Sequence, residues 1–124
     1  MENTVLEKFR QGRQSLGTFS AIGSPLAVES LRYTGLDYVI VDTEHSPAGI
    51  ESAAAQIAAA QGAGLTALAR ANEISRTAVL RLLDVGAQGV VVPCVETVEE
   101  VRELVRYAKF APLGNRGFCP TRDG

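Results

Sequence analysis

Apolar runs bounded by turn residues alternate along the chain with amphipathic stretches, and this alternation predicts strands and helices in strict succession. Gly17 to Ile22 is the first strand. Gly23-Ser24-Pro25 supplies a turn, an N-cap serine and a proline at the first helical position, which opens a helix to about Tyr33 that Gly35 closes. Tyr38-Val39-Ile40-Val41-Asp42 is a near-continuous apolar run ending in a carboxylate, the form of a strand buried on both faces in a parallel sheet. The alanine-rich stretch Ala48 to Gln61 is strongly helix-forming, and Gly62-Ala63-Gly64 ends it. Leu65 to Arg70 is the third strand, and Ile74 to Val85 is a helix with Ser75 near its start. Gly89 to Pro93 is the fourth strand. Glu96 to Lys109 is the last helix, where Thr97 and Glu100 can form a capping box.

The sum is βαβαβαβα, an α/β pattern that calls for parallel strands and right-handed crossovers. Each unit takes about 25 residues and a closed barrel of eight takes about 250, so the chain reads as one domain, residues 1–124, comprising the N-terminal half of a (β/α)₈ TIM barrel. Four strands leave two edges open, which predicts association with another copy or with the missing half. The terminal stretch Pro112 to Gly124 reads as a loop whose Leu113, Phe118 and Cys119 have no following element to pack on, so continuing strands are expected beyond Gly124.

Charge and composition narrow the function. With 12 basic and 14 acidic side chains the net charge is -2, which gives no electrostatic reason to expect nucleic acid or an anionic membrane. Met1 to Gln14 is polar without a signal-like apolar run, and no stretch is long enough to span a bilayer, so a soluble cytoplasmic protein is expected. The two cysteines, Cys94 and Cys119, are too few for a disulfide scaffold, and Cys94 in its apolar stretch is expected to be an inert core thiol.

Polar residues gather at the predicted strand ends. Asp42 ends the second strand with Glu44 and His45 just beyond it, and Arg70 ends the third; in a parallel barrel these ends share the face that carries catalytic groups. His45, the lone histidine, is suited to move a proton near neutral pH, or else only to hydrogen-bond its neighbours. Arg70 offers a planar fork for a carboxylate or an enolate oxygen, or forms an ion pair with Asp42 or Glu44. Asp84 falls inside a helix, where a solvent-exposed or capping role is expected. Gly62-Ala63-Gly64 precedes a strand and is no phosphate loop.

These residues carry a family resemblance. Gly35-Leu36-Asp37-Tyr38 leading to Val41-Asp42-Thr43-Glu44-His45-Ser46-Pro47, then Ala69-Arg70, Leu82-Leu83-Asp84-Val85-Gly86-Ala87-Gln88, Val92-Pro93 and Gly114-Asn115-Arg116-Gly117 resemble the HpcH/HpaI class II aldolases. The resemblance implies a (β/α)₈ barrel, dimers assembled into a hexamer, and cleavage of a 4-hydroxy-2-oxo acid to pyruvate, or a similar 2-oxo acid, and an aldehyde. It implies that His45 is the acid/base histidine, that Arg70 binds the substrate's carbonyl or enolate oxygen, and that Asp42 and Asp84 orient the histidine. Asp84 would then face the barrel mouth or the next subunit. Arg116 matches a substrate-binding arginine at the mouth. The implied cofactor is a divalent ion, Mg²⁺ or Mn²⁺ with Co²⁺ a third option, whose ligands are expected beyond residue 124. Ala71 stands where the family often has proline. A citrate-lyase-like acyl-CoA lyase and a non-catalytic half-barrel are the alternatives, and the D-x-E-H segment speaks against the former.

Overall fold

A computed structural model describes residues 3–119. The strands are β1 (Gly17–Ser20), β2 (Tyr38–Asp42), β3 (Thr66–Arg70) and β4 (Gly89–Val91), and they form a single sheet in the order β1-β2-β3-β4. Every neighbouring pair is parallel, which fixes a helical crossover between each strand and the next. The helices are α1 (Thr4–Arg10), α2 (Pro25–Ser30, continued by a 3-10 turn over Leu31–Tyr33), α3 (Ile50–Gly62), α4 (Arg76–Asp84) and α5 (Val98–Ala108). This is the half-barrel that the residue pattern predicts.

Helix starts follow the local chemistry. Ser24, Ser75 and Thr97 each accept a hydrogen bond from a backbone amide of the first helical turn, and Thr97 with Glu100 completes the capping box. The core lies between the sheet and its helices. Val39 and Val41 of β2 and Ala67 and Ala69 of β3 face Ala53, Ile57 and Ala60 of α3. The small alanines let α3 approach the sheet closely, and full burial of Ile57 contributes roughly 2 kcal/mol. The alternate residues, Phe19, Ile40, Leu68 and Gly89, stand in register with one another and face away from the helices. On that same face Gly17 pairs with Tyr38, and a Cβ at Gly17 would lie 2.3 Å from the tyrosine ring.

Some sequence expectations need correction. Residues 4–10, within the polar stretch Met1 to Gln14 to which the residue pattern assigns no element, form α1, capped by Asn3 and docked beneath the sheet through Thr4 N–H to Thr66 Oγ1 at 3.0 Å and Lys8 to Asp37 at 2.6 Å. β1 ends at Ser20, because Ile22 already lies in the exposed turn before Gly23. β4 ends at Val91, so Pro93 falls outside it. Cys94 is exposed at φ 56° and is no core thiol, since the chain turns outward after Pro93. The segment after α5 does find partners: Asn115 and Arg116 donate backbone hydrogen bonds to the carbonyls of Arg106 and Lys109, and Phe118 sets its ring edge-on to Phe110. Leu113 and Cys119 remain exposed, while Pro120 to Gly124 lie outside the described residues. Among the described residues no helix is long and apolar enough to cross a membrane.

Candidate functional site

Asp42 and Arg70 are the last residues of β2 and β3 and are register partners, so their side chains leave the sheet side by side on the face opposite the helices. The result is a two-point ion pair: Nε donates to Oδ1 at 3.0 Å and Nη2 to Oδ2 at 2.6 Å. Glu44 adds its Oε2 at 3.3 Å from Nε. These contacts use Nε and Nη2 and leave Nη1 outside them. Arg70 is 21% exposed and Asp42 is buried, so little water competes for the pair. The Arg70 hydrogen bonds hold the Asp42 carboxyl at about 2 against an ordinary 3.8; burial works the other way, and the Glu44 and His45 amides reinforce the arginine. Asp42 in turn raises Arg70 further above its ordinary value.

The loop after β2 is shaped by the same carboxylate. Oδ1 of Asp42 accepts from the Glu44 amide at 2.9 Å and the His45 amide at 3.2 Å, an Asx turn that fixes where His45 leaves the sheet. Ser46 closes the loop by donating its hydroxyl to the Asp42 carbonyl and accepting from the Ala48 amide at 3.1 Å. Thr43 ties the two strand ends together through its hydroxyl, 2.6 Å from the Arg70 carbonyl. The imidazole of His45 is 71% exposed, with Nε2 3.7 Å from Glu44 Oε2. Asp42, Glu44, His45 and Arg70 therefore meet at the C-terminal ends of β2 and β3.

Phe19, which the sequence did not single out, completes the cluster: its ring lies beneath the Arg70 guanidinium, 4.9 Å from centroid to Cζ. The only sequence signal was its place two residues after Gly17 in an alternating strand, and the alternation alone does not say which face is which.

Asp84 and Arg116 form a second, separate pair on the helical layer. Asp84 ends α4, and Arg116 reaches it from the segment after α5 with Nη2 at 2.9 Å from Oδ1. The Arg116 guanidinium also stacks on Phe110 at 4.8 Å. Within one chain the partner of Asp84 is thus Arg116, and the solvent-exposed or capping role expected from its helix position gives way to this partly buried ion pair.

The described residues contain no group of three or more His, Cys, Asp or Glu side chains that could hold a metal ion. The two carboxylates at the strand ends, Asp42 and Glu44, are both turned to Arg70, so the donor set present here does not fit a divalent cation.

A parallel β/α sheet with charged groups gathered at its C-terminal strand ends is the architecture of (β/α)₈ barrels. The family model described as HpcH/HpaI aldolase/citrate lyase matches residues 15–121, and the chain belongs to that family. Among relatives, a hydroxypyruvate/pyruvate aldolase of Roseovarius nubinhibens is 34% identical over 93% of this chain and 45% of its own length. A 4-hydroxy-2-oxo-heptane-1,7-dioate aldolase of Escherichia coli is 31% identical over 94% and 45%. Among solved structures, the HpcH/HpaI aldolase from Desulfitobacterium hafniense superposes with a TM-score of 0.87 at 36% identity, covering 95% of this chain and 46% of that one. The citrate synthase SbnG superposes at 0.89 with 30% identity, covering 94% and 48%. The chain spans a little under half the length of these relatives.

Proposed function

We propose that these residues form the acid/base and oxyanion half of a carbon–carbon lyase that cleaves 4-hydroxy-2-oxo acids to pyruvate, or a similar 2-oxo acid, and an aldehyde. The observation that carries this reading is the Asp42–Glu44–His45–Arg70 cluster at the ends of β2 and β3, in a member of an aldolase/citrate lyase family.

In the proposed reaction His45 takes the proton of the C4 hydroxyl, the C3–C4 bond breaks to release the aldehyde, and its electron pair forms the enolate of the 2-oxo acid. Protonation at C3 then yields the methyl group of pyruvate. Exposure suits His45 to proton exchange with a bound substrate, while the Asx turn sets its origin. Arg70, already fixed by Asp42, directs its remaining N–H groups at the enolate oxygen and needs no reorganisation as charge develops there. The divalent cation implied by the family resemblance is assigned to residues outside this chain. Asp84 orients a histidine only across a contact between copies, since its own chain supplies Arg116 as its partner. Arg116 is held as a substrate-side residue in the same sense.

The test is turnover of 4-hydroxy-2-oxo acids by the complete protein. His45→Ala is expected to abolish cleavage while leaving metal affinity unchanged. Cleavage at the wild-type rate by that variant rules the assignment out.

A further inference from the structure

The buried face of α3 carries one polar side chain, Gln56, which is 0% exposed among Ala53, Ile57 and Ala60. An apolar side chain of similar volume would fill this site without the cost of stripping an amide of water, so burial alone gives no reason for glutamine. What the amide supplies is direction. Its Oε1 accepts the hydroxyl of Ser20, the last residue of β1, at 2.7 Å, and its Nε2 donates to Ser52 Oγ at 3.2 Å. Ser52 in turn reaches the Gly23 carbonyl at 3.4 Å, in the turn that follows β1.

This chain of contacts pins the end of β1, whose strand neighbour among the described residues is β2, to the helical layer. Successive residues of a strand point to opposite faces, so holding Ser20 against α3 turns Phe19 to the other face. There its half-exposed ring, 51% accessible, meets Arg70 at 4.9 Å. Asp42 and Glu44 hold the guanidinium through its nitrogens, and Phe19 supports its flat surface. We propose that Gln56 is a positioning residue for Arg70, acting through Ser20 and the ring of Phe19. It touches no reacting group itself. Its bearing on catalysis rests on the role proposed for Arg70, whereas its bearing on the arginine's geometry does not.

The Nε–H resonance of Arg70, read by ¹H–¹⁵N spectroscopy on the complete protein, senses the ring beneath it. Gln56→Met and Ser20→Ala are each expected to move that resonance towards its position in Phe19→Leu, with the circular dichroism spectrum retained. In the Phe19→Leu background neither substitution should move it further, the signature of a shared route. Should Gln56→Met fail to fold, Ser20→Ala carries the same comparison. A lower melting temperature with an unmoved Arg70 resonance overturns the proposal, as does a shift of full size that persists without Phe19. In the complete protein the same substitutions should lower kcat by about tenfold with little change in KM, as expected when a catalytic group is displaced by a fraction of an ångström. A displaced resonance with unaltered turnover leaves the positioning intact and refutes the role proposed for Arg70.

Discussion

Asp42 holds Arg70 in a two-point grip, Oδ1 on Nε at 3.0 Å and Oδ2 on Nη2 at 2.6 Å, at the ends of adjacent strands. The grip has a pH signature. The Asp42 carboxyl titrates at about 2 in the folded chain against an ordinary 3.8, so the folded state binds fewer protons at this group than the unfolded state between those values. Its contribution to stability is complete above about pH 4 and is lost as pH falls towards 2. Urea unfolding across that window should show a steeper loss for the wild type than for Asp42→Asn, and parallel curves would refute the assignment.

Arg70→Lys should not restore what Arg70→Ala removes. An ammonium can reach one Asp42 oxygen, but it cannot bridge both and still present a flat edge to an enolate. In the complete protein, both variants are expected to lose at least about a hundredfold in cleavage, the scale seen when one oxyanion donor is removed. Both should also slow deuterium exchange at the methyl group of pyruvate, which passes through the same enolate. Near-normal exchange in Arg70→Lys would show that charge alone suffices.

Gly17→Ala places a methyl group 2.3 Å from the Tyr38 ring, well inside contact distance. The expected cost is about 1–3 kcal/mol, the range for overpacking a tight site. Denaturant unfolding measures it, and Tyr38→Leu should recover part of the loss in the double variant by vacating the space. An undiminished midpoint in Gly17→Ala would show that the ring swings aside freely.

How much of this could be read beforehand depended on whether a feature was local. β2, with four apolar residues before Asp42, and the capping box at Thr97 are encoded by their own residues, and both stand where the sequence puts them. Asp42 and Arg70 were legible as a pair because a parallel register sets strand ends side by side. α1 was not legible. It is only seven residues long, and its anchors, Thr66, Gln88 and Asp37, lie far along the chain. Phe19 and Gln56 needed the register and the helix facing as well, since each matters through a partner on another element. The exposure of Cys94 is not encoded in its apolar neighbourhood, which says nothing of a chain that turns outward after Pro93.

Large apolar side chains stay exposed at both lateral edges of the half-barrel. Leu16 before β1, Phe19 on the inner face of β1 and Leu26 of α2 belong to one end of the strand order, and Val98, Val101 and Val105 of α5 to the other. α5 buries none of its residues fully, and a hollow of about 680 Å³ separates it in part from α4 and β4. Sedimentation of the 124-residue chain should therefore show species heavier than 13.1 kDa, driven by this surface and by two unpaired strand edges. A stable monomer that binds no hydrophobic dye would contradict it.

The docking of α1 also dictates an order of events during synthesis. Thr4 donates to the hydroxyl of Thr66 and Asn3 to the carbonyl of Gln88, so until β3 and the start of β4 have emerged α1 has only the ion pair of Lys8 with Asp37 to hold it. A seven-residue helix has little persistence in isolation. Two of the three anchors of α1 thus belong to residues made well after it, and its docking is complete only once the start of β4 is available.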